Sequence, residues 1–207
     1  MNEPVVRIRI EPEGTDPLVW RSVDVPVSSS LMALHDIIQV TMRWKDAHLF
    51  EFVVGDRAYG EPNAEDAAWG RKLFFAKNIR LMSLIERGID HFRYVYDFGD
   101  NWQHRVTIEV LRQGEAETDY PAFVGGARRA PPEDVGGISG FEEFLEAVSD
   151  PRHEDHGRML TWCGGPYDLE DIEEHGIRMI FEQFAVRRRG PLASHRRACR
   201  SKDTKDR

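Results

Sequence analysis

The chain has 207 residues, a net charge of −8, 41% hydrophobic residues and two cysteines, Cys163 and Cys199. That hydrophobic content suffices for one sizeable core without a disulfide framework, and cysteines in no C-x-x-C pair lend no support to a zinc ribbon or a redox dithiol. No apolar run nears the roughly 20 residues of a membrane span, and MNEPVVRIRIEPEG breaks at once into Pro, Glu and Gly, so a soluble, cytoplasmic chain without membrane contact is expected.

VVRIRIEP and LVWRSVDVP are β-branched runs with alternation, each closed by a proline and separated by EGTDP, and they predict a hairpin. After Pro26, Ser28 to Ser30 offer N-caps, and Leu31, Leu34, Ile37, Ile38 and Met42 recur at helical spacing as far as about Trp44. HLFEFVVGDRAYG predicts a strand, a turn at Gly55-Asp56 and a short return strand. The following GEPNAEDAAWG has the composition of a solvated loop, yet it leads straight into Leu73, Phe74 and Phe75. Two readings of that triplet stand: it packs under its own domain with Trp69, or it faces solvent and anchors a partner.

NIRLMSLIERG predicts a short helix stopped near Gly88, and HFRYVYDFGDNWQHRVTIEVL a hairpin around Phe98 to Asn101. The Gly- and Pro-rich YPAFVGGARRAPPEDVGGISG predicts an irregular loop, with Arg128 and Arg129 beside glycines that offer a weak anion cradle. Three helices then follow: one capped by Ser139 and Glu142, one opened by Asp150-Pro151 and stopped at Gly164-Gly165, and one over IEEHGIRMIFEQFAV. The sum is an α+β domain, an antiparallel sheet built from hairpins and covered by helices, over residues 1–186. Residues 187–207 hold nine Lys and Arg against two Asp, +7, which leaves −15 on the body. A disordered basic tail is expected there, and direct nucleic-acid binding by the acidic body is not.

Two clusters invite a chemical reading. Asp97, Asp100 and His104 flank the hairpin tip, but turn chemistry demands Asp, Asn and Gly there in any case. His153 and His156 share a helix face at i and i+3 but lack a third ligand, so no metal is expected at either place. No nucleophile elbow, Walker sequence or dinucleotide fingerprint occurs, and neither a catalytic residue nor a cofactor is assigned. A metal-dependent hydrolase using Asp97, Asp100 and His104, or His153 and His156, is the alternative reading, with a nucleic-acid accessory protein acting through the tail as a third.

In order along the chain, PLVWRSVDVP, LHDIIQVTMRWKDAHLFEF, YVYDFGDNWQH, RRAPPEDVGGISGFEEFLEAVSDPRHEDH and WCGGPYD resemble the plasmid pRiA orf-three-like family, also called the TnpR passenger family of insertion elements, over roughly residues 4–175. Ala130 stands where many members have a cysteine. The resemblance implies an α+β fold and no established reaction. Within the family the chain is similar to a non-enzymatic bacterial toxin that halts replication by binding the β subunit of the DNA polymerase, the sliding clamp. That toxin is cleared by a cytoplasmic ATP-dependent protease with an antitoxin as adaptor. Carried over here, the likeness implies that Leu73, Phe74 and Phe75 form a clamp-binding motif, with Gly70 where a glutamine is usual.

Overall fold

The computed structural model describes residues 3–64, 66 and 70–203, with side chains as far as Arg188. Trp69 lies outside the described residues. Alternating β-branched residues generate strands β1 (Pro4–Pro12) and β2 (Trp20–Pro26), paired antiparallel from Val5↔Pro26 to Ile10↔Arg21. Alternation sends Val6, Ile8, Ile10, Val23 and Val25 into the core. The opposite face is polar: Asp24, itself buried, accepts from Arg7 Nε and Nη2, each at 3.0 Å, and from Arg112 Nη2 at 2.7 Å. Helix α1 (Leu31–Met42) starts where Ser30 Oγ accepts the Ala33 amide at 3.1 Å, and its apolar stripe is buried.

Strands β3 (Phe50–Val54) and β4 (Arg57–Gly60) form the expected second hairpin, followed by β5 (Leu73–Phe75), a 3₁₀ turn at Ala76–Asn78 and helix α2 (Leu81–Glu86). The third hairpin joins β6 (His91–Tyr96) to β7 (Trp102–Gln113). All of these strands, with β8 (Ala122–Ala127), make one eight-stranded sheet in the order β5-β4-β3-β6-β7-β1-β2-β8, antiparallel except where β5 runs parallel to β4. Long β7 links the two halves because it pairs with β6 along one side and β1 along the other. The helices α3 (Gly137–Ser149), α4 (His156–Trp162) and α5 (Glu174–Asp203) complete the α+β fold.

Several expectations need correction. AFVGGA within the Gly-rich segment is strand β8, because its backbone completes the free edge of β2 despite weak side-chain propensity. Helix α3 begins two residues before Ser139 with Gly136 as N-cap, so the Ser139/Glu142 capping box does not form. At Gly140 a Cβ would lie 2.0 Å from the Val135 carbonyl oxygen, so only glycine lets the first turn of α3 pack there. Asp150 does not open a helix; its Oδ1 accepts the Arg152 amide at 2.9 Å in a turn, and α4 starts at His156. Arg128 and Arg129, beside the glycines, are paired with Glu170 and Glu173.

The expected boundary after residue 186 falls inside α5. Arg188 reaches back to the body, where it pairs with Glu3 and donates to Ser28 Oγ at 2.7 Å. Among the described residues no helix is long and apolar enough to cross a membrane.

Candidate functional site

The triplet Leu73-Phe74-Phe75 is ordered as an edge strand, not a free loop. Alternation turns Phe74 to the side where Tyr59 packs, with ring centroids 5.7 Å apart, and Phe74 joins the rim of the core. Leu73 is half-buried against Gly60 and lines a cleft of about 450 Å³ with His48, Phe98 and Arg71. Phe75 alone of the three is exposed, at 46%, under the Lys77 ammonium 4.9 Å from its ring centre. Upstream, Arg71 clamps the approach to the strand through Glu51 and Asp66. The expected solvent-facing anchor is therefore reduced to one ring: packing takes Phe74 and much of Leu73 and leaves Phe75.

The second constellation lies where three turns meet. Helix α1 ends in a loop at residues 43–48 that is fixed from beneath by a buried polar network. His35, fully buried, donates through Nε2 to Asp46 Oδ1 at 2.8 Å, and its Nδ1 then accepts from Tyr94 Oη at 2.8 Å. Gln39 completes the ring, since its Nε2 donates to Tyr94 Oη at 3.0 Å and its Oε1 accepts the Asp46 amide at 3.0 Å. Burial pulls the His35 pKa down, with Asp46 opposing. Tyr96 ties this loop to the Pro-rich one: its hydroxyl donates to Glu133 Oε1 at 2.7 Å and accepts the Ala47 amide at 3.0 Å. Burial and that carboxylate push the Tyr96 pKa up. Trp44 adds a hydrogen bond from Nε1 to the Pro131 carbonyl at 2.8 Å.

On this platform His48, Asp97 and Asp134 bring one ligand atom each within 4.8 Å of one another. His48 Nε2 stands 3.0 Å from Asp134 Oδ1 and 3.7 Å from Asp97 Oδ2. The other Asp97 oxygen is spent on the turn, accepting the Gly99 amide at 2.9 Å and the Asp100 amide at 3.4 Å. Asp97 and Asp134 have φ of 54° and 61°, the left-handed region in which Asp is enriched among non-glycine residues, so the turns themselves call for these residue types.

Of the residues singled out from sequence, only Asp97 enters this cluster. Asp100 turns away to accept the Gly136 amide at 3.0 Å through Oδ2. His104 is fully buried between Trp44 and Tyr94, donating through Nδ1 to the Trp102 carbonyl at 3.1 Å, and burial lowers its pKa to about 4. His153 and His156 part company: His153 Nδ1 accepts the Asp155 amide and His156 Nδ1 donates to the Ala147 carbonyl. The hydrolase groupings Asp97/Asp100/His104 and His153/His156 thus do not converge among the described residues. His48, which the sequence places near a strand start as an ordinary hydrogen-bonding histidine, and Asp134 carry no ligand spacing; they meet through the pairing of β3 with β6 and the approach of the Pro-rich loop.

An eight-stranded α+β sheet with three turns gathered at one end defines the class of protein. Residues 4–175 match the family described as plasmid pRiA4b ORF-3-like protein, and the chain belongs to that family. It is 39% identical over 161 residues, 77% of this chain and 81% of the other, to the uncharacterized protein y4hQ of Sinorhizobium fredii. The fold also matches the crystal structure of MM3350, a protein of unknown function from Methanosarcina mazei Go1. That match has a TM-score of 0.74 and 32% identity, and covers 82% of this chain and 94% of the other.

Proposed function

We propose that the protein is a cytoplasmic, non-enzymatic inhibitor of DNA replication that docks strand β5 into the apolar cleft of the sliding clamp and competes with other clamp clients. The observation that supports this reading is the exposed Phe75 ring at the end of a three-residue edge strand. A large aromatic on an edge held by a single neighbour is available to a partner in a way that a core residue is not. Leu73 shares its side of the strand and follows if β5 peels from β4. Peeling loses a few ladder hydrogen bonds at about 1 kcal/mol each and the part-burial of Leu73 and Phe74, while full burial in a partner's cleft returns about 1.5 to 3 kcal/mol per side chain. The balance allows binding on the order of micromolar.

The test is competition. Purified protein titrated into labelled clamp should bind and be displaced by a peptide from an authentic clamp client. Binding that such a peptide cannot displace, or no saturable binding, refutes the reading.

A further inference from the structure

We propose that His48, Asp97 and Asp134 form a binding site for a first-row divalent transition-metal ion, of the series from Mn²⁺ to Zn²⁺. Three features of the cluster carry this. First, His48 Nε2 is a buried polar atom without a hydrogen bond, although Asp134 Oδ1 is only 3.0 Å away. A histidine ion pair aligns its N–H on the carboxylate, whereas three donors arranged about a shared point do not align pairwise. Second, Asp97 is already oriented: backbone amides hold Oδ1, and Oδ2 is left facing His48. Third, the platform under His48 is rigid, because its amide and that of Ala47 both donate to Tyr96 Oη, whose ring packs edge-on against the imidazole at 5.8 Å.

The donor set selects the class of ion. One imidazole nitrogen and two carboxylate oxygens suit borderline first-row cations, whereas Mg²⁺ and Ca²⁺ prefer all-oxygen shells. Three protein ligands leave at least one position for water. The cluster lies between two clefts, one of about 450 Å³ lined by His48 and one of about 430 Å³ lined by Asp134, so a bound water has an approach from either side. The inference is independent of clamp docking.

Metal-stripped full-length protein is titrated with Co²⁺, read by visible absorption, and with Zn²⁺ and Mn²⁺, read by calorimetry. One equivalent should bind to the wild type. Asp134→Asn changes an exposed side chain and keeps a residue tolerant of its backbone conformation, so the fold is retained while affinity falls by about tenfold or more. His48→Gln should do the same, Glu170→Gln, which removes a carboxylate paired with Arg128 and not part of the cluster, should not, and Phe75→Ala should bind metal normally. Absence of saturable binding by all three ions, or unchanged affinity in both Asp134→Asn and His48→Gln, overturns the proposal.

Discussion

Replacing Phe75 with alanine separates a docking residue from a packing residue, provided that Phe74→Ala is measured beside it. Phe75 is 46% exposed, so only about half of its side chain stabilises the fold; full burial of a phenylalanine is worth about 1.5 to 3 kcal/mol, and its truncation should cost about 1 kcal/mol. In a domain of this size that lowers the melting temperature by about 2 to 4 °C. The exposed half is what a partner can still bury. If Phe75 is the anchor, its loss should cost at least about 2 kcal/mol of binding, roughly 30-fold in Kd. Phe74 packs on Tyr59 and under Arg57, so Phe74→Ala should cost about 2 kcal/mol of stability while leaving the anchor ring in place. Thermal melts and calorimetry against purified clamp give both numbers for each variant. Clamp affinity in folded Phe75→Ala within about threefold of wild type, with the same result for Leu73→Ala, would refute the assignment of β5 as the docking element.

Acid should weaken the fold through His104. Its pKa is about 4 in the folded protein against 6.5 for the free side chain, so the unfolded state takes up the proton first. The contribution of His104 should be constant above pH 6.5 and should fall as pH drops from 6.5 to 4, by about 3 kcal/mol in total; His35, lowered in the same direction, adds to the slope. Urea unfolding between pH 7.5 and 4.5 reads this, and His104→Leu should flatten the dependence even though it is less stable overall. Asp24→Ala leaves Arg7 and Arg112 facing each other, and because both arginines are about a third exposed the loss should be about 2 kcal/mol in denaturant unfolding. A loss below about 0.5 kcal/mol would mean that solvent already screens the pair. Gly140→Ala drives a methyl group into the Val135 carbonyl and should cost about 3 kcal/mol or more, whereas Ala at Gly157, where a Cβ meets nothing, should be close to neutral; thermal melts compare them.

What could be read from the sequence was whatever depends on neighbours in the chain. The hairpins, the Ser30 cap and the stop after α2 near Gly88 follow from local alternation, capping and turn chemistry, and they stand in the structure. Strand β8 was not legible, because GG-containing AFVGGA becomes a strand only when the unpaired edge of β2 is beside it. The same limit hid the cluster: His48, Asp97 and Asp134 lie on three separate turns, and nothing in their spacing says that the turns meet. LFF was legible as an anomaly of composition. Its division into a packed Phe74 and an exposed Phe75 required the strand's direction and its pairing with β4.

The edge strand also bears on what the protein avoids. An open edge invites a second copy of itself, and two β5 strands paired antiparallel about Phe74 would bring Arg71 of each chain towards Lys77 of the other. Like charges set opposite one another oppose such pairing, and cationic residues at a sheet edge discourage end-to-end growth of sheets. The lysines beside β5, Lys72 and Lys77, therefore weigh against the homotypic ladder, and under the proposed docking they favour a cleft with an acidic or neutral rim.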